Sequence, residues 1–248
     1  MAGDNPTNIR AVDRALDVLL CFAGLRGGLG VTEIAEKLGL YKSTVHRLLG
    51  TLEQKGFVRQ DEATGKYHLG VRILELASGY LEDSDLTSAA YHEMRRLRDE
   101  IGETVSLYIR DGTERVRVQK VESLQAVRRV VQIGQRAPLY LGASGKVLLA
   151  HCEGRTRAKV LEVLPSGFDR SRLDEQLDVV AGAGYAVSIE EREPGTAAVA
   201  APVIDRSGAV VGALCISGPA SRFDSETIER YAQSVKRSAL TISARLVE

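Results

Sequence analysis

The chain has 248 residues, enough for one large hydrophobic core or two modest ones. Its 33 Lys and Arg balance its 33 Asp and Glu, so the formal net charge is zero. This balance argues against a protein that coats nucleic acid non-specifically, although it permits a local basic surface. The polar start of the chain lacks the apolar segment of a signal peptide, and apolar runs such as 210–216 are too short to span a bilayer.

The cysteines and histidines are few and scattered. No CxxC pair and no spacing typical of metal ligands occurs among them. We therefore expect buried, unpaired thiols in a reducing cytoplasm, with no metal site and no cofactor. The three cysteines are Cys21, Cys152 and Cys215.

The first seventy residues predict three helices followed by a hairpin. Apolar residues at helical spacing predict a first helix over about 11–23, with Val12, Leu16, Leu19, Leu20 and Ala23 on its apolar face. The hydroxyls of Thr32 and Ser43 are expected to cap a second and a third helix. Residues 57–60 and 66–69 are predicted as two short strands joined by a turn. This order of elements predicts a winged helix-turn-helix.

Beyond residue 70 the sequence predicts a linker helix and a larger α/β domain. The apolar face of the linker helix consists of Ile73, Leu76, Ala77 and Tyr80. Strands are predicted near 104–110, 116–121, 185–189, 197–204 and 209–217, and helices near 144–152, 155–164, 172–183 and 225–246. We therefore expect an α+β fold with a mostly antiparallel sheet, divided into a DNA-binding domain (8–70), a linker helix (71–84) and an effector domain (85–248).

The third helix is predicted to bind DNA. A helix-turn-helix inserts the N-terminal end of its second helix into the major groove, where Arg, Lys, Ser and Thr contact bases and phosphates. Between residues 37 and 59 five Lys and Arg face a single acid, which is a local basic bias. The candidate DNA contacts are Tyr41, Lys42, Ser43, Thr44, His46, Arg47 and, in the wing, Lys66.

Alternatives stay open for several of these residues. Tyr41 either stacks on the DNA backbone or fills the turn between the two helices, and His46 contacts DNA or nothing. Lys66 fits a phosphate contact better than a base contact. A small three-helix unit with solvated lysines also occurs in protein-interaction modules. The alternative function is therefore a small-molecule sensor or signalling adaptor without DNA binding.

Motifs along nearly the whole chain resemble the IclR family of bacterial transcriptional regulators. They lie at 12–16, 32–35, 42–49, 56–58, 67–70, 145–150, 184–187, 201–203 and 217–219, with further matches at Gly134, Pro138 and Leu139. The resemblance implies a winged helix-turn-helix joined by a linker helix to a GAF-like effector domain. It also implies dimers, often paired into tetramers, that bind a near-palindromic operator and repress or activate catabolic operons in response to a small organic or aromatic acid.

The resemblance also implies an effector pocket. Carried over position by position, it falls on Leu141, Gly142, Ala143, Ser188, Ala198, Cys215 and Ser217. Members that bind small oxoacids commonly have an acidic residue, a cysteine and a serine where this chain has Ser188, Ala198 and Cys215, and only Ser217 is kept. We therefore expect a less polar pocket that favours an acid larger than glyoxylate. Alternatively, Ala198 and Cys215 are small core residues on strands.

Two enzyme motifs match only in part. A P-loop needs Gly at position 140 and Ser or Thr at 147, and a nucleophile elbow needs Gly at 146. Ser144 is instead expected to cap a helix whose free N–H groups point towards the effector. Cys215 lies in an apolar strand with no histidine nearby in the sequence. We therefore predict that the chain is not an enzyme.

Overall fold

The structure is a computed structural model that describes residues 9–25, 27–82 and 85–246, without the side chains of residues 80–82 and 85. The chain divides into two compact units, Met1–Asp83 and Ser84–Glu248. The predicted domain limits at residues 8, 84 and 248 lie outside the described residues.

The N-terminal unit has the order of elements predicted for a winged helix-turn-helix. Its helices are α1 (Arg10–Leu20), α2 (Val31–Leu38), α3 (Lys42–Gln54) and α4 (Val71–Glu82), and its strands are β1 (Val58–Gln60) and β2 (Tyr67–Leu69). The two strands pair antiparallel to form the wing. The core between the first three helices contains the fully buried side chains of Val18, Ile34, Val45 and Leu49.

The expected caps of α2 and α3 are wrong. Both helices begin before the hydroxyl residues, so Thr32 and Ser43 lie inside the first turns. Gly30 is the N-cap of α2, and its N–H donates to the Glu33 carboxylate at 2.6 Å. Tyr41 precedes α3 in extended conformation and makes no side-chain capping hydrogen bond. A carboxylate in the first turn can satisfy a free helical N–H group as a capping hydroxyl does.

The apolar face predicted for the first helix is only partly buried. Val12, Leu16 and Leu20 are 53%, 54% and 67% exposed. The helix ends at Leu20, and residues buried on its other side include Val18. Within this unit α1 therefore has one apolar side in the core and a second apolar side at the surface.

The C-terminal unit is an α/β domain around one antiparallel sheet. Its helices are α5 (Asp85–Ile101), α6 (Ala143–Ala150), α7 (Gly154–Glu162), α8 (Arg170–Ala183) and α9 (Ser225–Arg245). Its strands are β3 (Thr104–Asp111), β4 (Glu114–Val121), β5 (Arg136–Pro138), β6 (Ala186–Ile189), β7 (Thr196–Ile204) and β8 (Val210–Pro219). The strand order is β5-β4-β3-β8-β7-β6, and each neighbouring pair is antiparallel. These observations confirm the predicted α+β fold class.

Helices cover both faces of this sheet. Alternate residues of a strand point to opposite faces, so each strand contributes to two cores. Leu107 and Ile216 pack on one face in a core shared with α5 and α9. Tyr108 and Cys215 pack on the other face in a core shared with α6, α7 and α8. This second face carries the residues predicted to bind an effector.

Candidate functional site

The α3 helix presents polar side chains on the side opposite its core residues. Val45, Leu49 and Leu52 are buried. Among the candidate DNA contacts of this helix, Thr44 is half-buried and the exposed ones are Lys42, Ser43, His46 and Arg47. Tyr41 is 84% exposed, so it does not fill the turn between α2 and α3. Within this unit the helix start is therefore open to a partner molecule.

The wing has an ordered turn and an exposed cation. The Asp61 carboxylate accepts hydrogen bonds from the N–H groups of Ala63 at 2.9 Å and Thr64 at 3.0 Å. The N–H donors, with Thr64 first, hold the pKa of Asp61 below its ordinary value. Lys66 is exposed and its Nζ lies 3.7 Å from the Glu33 carboxylate. Such an exposed pair contributes little stability, so Lys66 stays able to contact phosphate.

A cavity of about 30 Å³ lies between the sheet and the start of α6. The antiparallel register places Ser188 opposite Ala198, and Ala198 opposite Ser217. Cys215 is two residues before Ser217 on the same face of β8. The predicted effector residues that line the cavity are Gly142, Ala143, Ser188, Ala198, Cys215 and Ser217. The fold thus brings together six of the seven residues from four separate segments.

Leu141, the seventh predicted residue, is not part of the lining. Its carbonyl accepts a hydrogen bond from Nη1 of Arg115 at 2.6 Å. The N–H of Gly142 donates to Oε2 of Glu191 at 2.9 Å, so it is not free. The expectation that Ser144 caps the helix is also wrong, because Gly142 is the N-cap and Ser144 is buried within α6, where it lines the cavity.

Three arginines that sequence reasoning missed line the cavity. Arg115 belongs to β4, whereas Arg129 and Arg192 come from the segments before β5 and before β7. The cavity is therefore more charged than its predicted residues alone indicate. Arg115 alternates with Val116 along β4, a pattern that a strand with one solvated face also shows. Only the position of α6 over this face reveals that the arginine side is the buried one.

Arg115 is 2% exposed and lies against the start of α6. Its Nη1 donates to the carbonyls of Pro138 and Leu141. A Cβ on Gly142 would lie only 3.0 Å from Nη2, so glycine leaves the room that the guanidinium occupies. Nε is buried without a hydrogen-bond partner in the described part of the chain. Burial lowers the pKa of Arg115 to about 10, because an apolar surrounding disfavours the charged form.

Arg117 stands behind the cavity wall and is 1% exposed. Its Nε donates to the hydroxyl of Tyr108 at 3.0 Å, and its Nη1 donates to Oε1 of Gln135 at 2.7 Å. Over the described residues, neither Arg115 nor Arg117 has a carboxylate partner. This face of the sheet therefore contains two buried cations held by neutral groups.

A charged loop between β6 and β7 closes the cavity. Oε1 of Glu193 lies 3.0 Å from Nη2 of Arg129 and 3.6 Å from Nη2 of Arg192. Oε1 of Glu191 lies 2.5 Å from Nζ of Lys146, which is 4% exposed on α6. The pair between Glu193 and Arg129 connects the loop to the cavity rim, and the pair between Glu191 and Lys146 connects it to α6.

The environment of Cys215 does not suit a catalytic nucleophile. Burial raises the pKa of this thiol, which disfavours the reactive thiolate. The three cysteines are free. No cluster of three or more His, Cys, Asp or Glu suited to a metal ion occurs among the described residues. A search of the same residues for a helix long and apolar enough to cross a membrane is negative.

Two family models cover most of the chain. The IclR helix-turn-helix domain matches residues 11–62, and the model described as bacterial transcriptional regulator IclR C-terminal matches residues 78–244. The HTH-type transcriptional regulator KdgR of Escherichia coli (strain K12) is 34% identical over 252 residues, which cover 97% of this chain and 94% of KdgR. The glycerol operon regulatory protein of Streptomyces coelicolor is 37% identical over 221 residues, covering 87% of each chain.

Solved structures show the same similarity. A transcriptional regulator from Alicyclobacillus acidocaldarius matches with a TM-score of 0.83 and 30% identity, covering 96% of this chain and 99% of that one. An IclR homolog from Microbacterium hydrocarbonoxydans, complexed with 4-hydroxybenzoate, matches with a TM-score of 0.81 and 26% identity, covering 95% and 98%. The relatives are transcriptional regulators, which confirms the prediction that the chain is not an enzyme.

Proposed function

The chain belongs to the IclR family of bacterial transcriptional regulators, and we propose that a small organic acid in the cavity controls its binding to a near-palindromic operator. The regulated genes are proposed to form a catabolic operon, and the place of action is the cytoplasm, where the DNA is. The cavity at the start of α6 is the observation that carries the effector proposal.

Contact with DNA is proposed for the exposed start of α3 and for the wing. Arg47 and Lys42 are cations of the kind that bind guanine or phosphate, and Ser43 and Thr44 suit either. His46 and the exposed ring of Tyr41 border the same surface, and Lys66 adds a phosphate contact from the wing. Base-reading groups at the N-terminal end of the second helix are what this motif needs.

The effector proposal rests on charge and size. An acid places its carboxylate beside the start of α6 and the hydroxyl of Ser217, with Ala143, Ala198 and Cys215 around its carbon atoms. A cavity of about 30 Å³ is roughly twice the ~10–15 Å³ that one water needs, so a compact acid fits better than an aromatic one. The Microbacterium neighbour with its bound 4-hydroxybenzoate supports an acid as the class of ligand.

We further propose that two copies associate through the N-terminal units. Large apolar side chains are exposed on α1 and α4, among them Leu16 at 54%, Leu20 at 67% and Leu74 at 67%. Of the predicted linker face, Leu76 is 61% exposed, Ile73 and Ala77 are half-buried, and the side chain of Tyr80 lies outside the described part. Apolar surface of this kind favours a protein partner, and a twofold pair matches a palindromic operator.

The experiment is a fluorescence anisotropy titration of duplexes from the DNA that flanks the gene, at fixed salt. We expect a subset of duplexes to bind tightly and to change affinity when glyoxylate, pyruvate or malonate is added. An adaptor without specific DNA binding would have the same weak affinity for every duplex, and added acid would not change it. That result would overturn the proposal.

A further inference from the structure

The charges around the cavity restrict the class of effector. Three guanidinium groups line it, those of Arg115, Arg129 and Arg192. The one carboxylate paired with any of them, over the described residues, belongs to Glu193. Arg115 has no carboxylate partner in the described part of the chain and the other two guanidinium groups share one, so the three groups together carry an excess of two positive charges. Buried charge is costly unless it is paired, so the site is completed by a ligand that brings negative charge.

Unsatisfied polar atoms lie on the same face of the sheet. Nε of Arg115 is buried without a hydrogen-bond partner, and so is the hydroxyl of Ser106. Ser106 is opposite Cys215 in the register of β3 and β8, directly beside the lining. Buried polar groups in folded proteins are nearly always hydrogen-bonded, and exceptions often mark a place where a ligand or water binds.

Glu193 is suited to be a displaceable partner. Its side chain is 49% exposed, and the same oxygen serves both Arg129 and Arg192. Solvent reaches the Glu193 carboxylate and weakens its pairs with the two less exposed arginines. A ligand carboxylate inside the cavity offers two oxygens where Glu193 uses one, and it is less screened by water than the half-exposed Glu193. The ligand is therefore able to replace Glu193.

We propose that the cavity binds a compact dicarboxylate, with one carboxylate on Arg115 beside the start of α6 and the other on Arg129 and Arg192 in place of Glu193. This inference rests on the proposed role of the cavity as the effector site. The small apolar lining of Ala143 and Ala198 suits a carbon linker between the two charges. The cavity of about 30 Å³ is small, so the shortest dicarboxylates are the ones to test first.

The test is calorimetric titration of the full chain with malonate, with its monoamide malonamate, and with sulfate. Malonate and malonamate differ by one charge and little in shape, so the ratio of their affinities isolates the second carboxylate. We expect malonate to bind at least about tenfold more tightly than either probe, because only it brings a carboxylate to both arginine groups. Sulfate carries its two charges within one compact tetrahedral group and cannot span the site.

Two variants separate charge recognition from a purely structural role. Arg129→Gln should lower malonate affinity more than malonamate affinity and so remove most of the preference for malonate. Glu193→Gln should tighten malonate binding severalfold, because it removes a competitor for the same guanidinium groups. If Glu193 only shaped the loop, the same variant would weaken binding. Thermal unfolding of both variants checks that the fold is kept.

The possible outcomes distinguish the dicarboxylate proposal from the proposed role of an organic acid as effector. Equal affinities for malonate and malonamate, or tighter binding of sulfate, would overturn the dicarboxylate while the organic acid effector stands. Weaker malonate binding by Glu193→Gln would overturn the displacement of Glu193. If oxalate, malonate and succinate all fail to bind while another acid changes operator affinity, the dicarboxylate is wrong and the proposed function is right.

Discussion

At the scale of single residues, Arg47 is the exposed guanidinium of the α3 helix. Arg47→Ala should weaken operator binding by about 1–3 kcal/mol if the side chain reads a guanine. Contact with a base, unlike contact with a phosphate, also depends on the DNA sequence. The loss should be larger on the operator than on unrelated DNA, which anisotropy titrations of the two duplexes measure.

Arg206→Ala is the matched control, because it removes the same charge from an exposed turn of the C-terminal unit. We expect its operator affinity to equal that of the wild type. Unchanged affinity of Arg47→Ala at moderate salt would remove Arg47 from the DNA contacts. An equal loss on both duplexes would restrict Arg47 to phosphate.

Single residues also show how much of the cavity lining could be predicted from the sequence. Motif positions were enough to predict six of the residues that line the cavity, because strand register then brings Ser188, Ala198 and Ser217 into one row. Arg129 and Arg192 carried no such signal, since an arginine in a charged loop is usually solvated. Their role depends on how loops distant in sequence close over the sheet.

At the scale of elements, α6 begins in close contact with the end of β5. A Cβ on Gly145 would collide with the carbonyl oxygen of Leu139 and with Nη1 of Arg115. We expect Gly145→Ala to destabilise the protein by about 1–3 kcal/mol, despite the better helix propensity of alanine. Denaturant unfolding measures the change.

Gly154→Ala is the control for this substitution. Gly154 is the first residue of α7, and nothing lies within 4 Å of a Cβ there. Its stability should be unchanged or slightly higher than that of the wild type. If Gly145→Ala were equally harmless, the close approach of α6 to β5 would be wrong.

The contact between α5 and α9 contains a buried acid. Nε of Arg96 is 3.0 Å from both carboxylate oxygens of Glu93, and Nη2 also donates to the hydroxyl of Ser238 on α9. Burial raises the pKa of Glu93, but hydrogen bonds from Arg96 and Ser238 outweigh it and leave the pKa below 4.5. A lowered folded pKa adds stability above the unfolded value, and this stability is lost as the pH falls below 4.5.

Glu93→Gln should therefore destabilise the protein at pH 7 by about 1–3 kcal/mol, a range that allows for the partly exposed Arg96. The difference from the wild type should shrink as the pH falls below the ordinary glutamate value. Glu229→Gln, an exposed change on α9, is the control and should have little effect at either pH. A difference that stays constant with pH would show that ionisation of Glu93 is not the cause.

Elements with long periodic patterns were predictable, whereas short ones were not. The apolar stripe of α9 repeats over 21 residues and identifies the helix. The strand β5 has three residues and forms only because its neighbour β4 lies beside it. Capping also escaped prediction, because Glu33 satisfies the start of α2 where a hydroxyl was expected from Thr32.

At the scale of the whole molecule, binding to a palindromic operator requires more than one copy of the chain. The exposed leucines of α1 are proposed to be covered by a second chain. Sedimentation at micromolar concentration should give at least twice the chain mass of 26.9 kDa. Leu16→Asp should weaken association and operator binding together, since a charge in an apolar interface is costly.

The control for association is Val179→Asp, which places the same charge at a residue of α8 that is 69% exposed. We expect it to keep the assembled mass. A wild-type chain that sediments as a monomer would rule out the proposed dimer. Dissociation by Val179→Asp with no effect of Leu16→Asp would place the interface in the C-terminal unit.

The central claim is that an acid in the cavity changes DNA binding. For this the acid must bind one arrangement of the DNA-binding units more tightly than another. The direct measurement is operator affinity with and without the acid, for the wild type, Ala198→Phe and the exposed control Ala181→Phe. Filling the cavity should abolish the response of Ala198→Phe while its operator affinity without acid stays normal, and the control should respond like the wild type. A normal response from a folded Ala198→Phe would contradict the account, because the effector would then bind elsewhere.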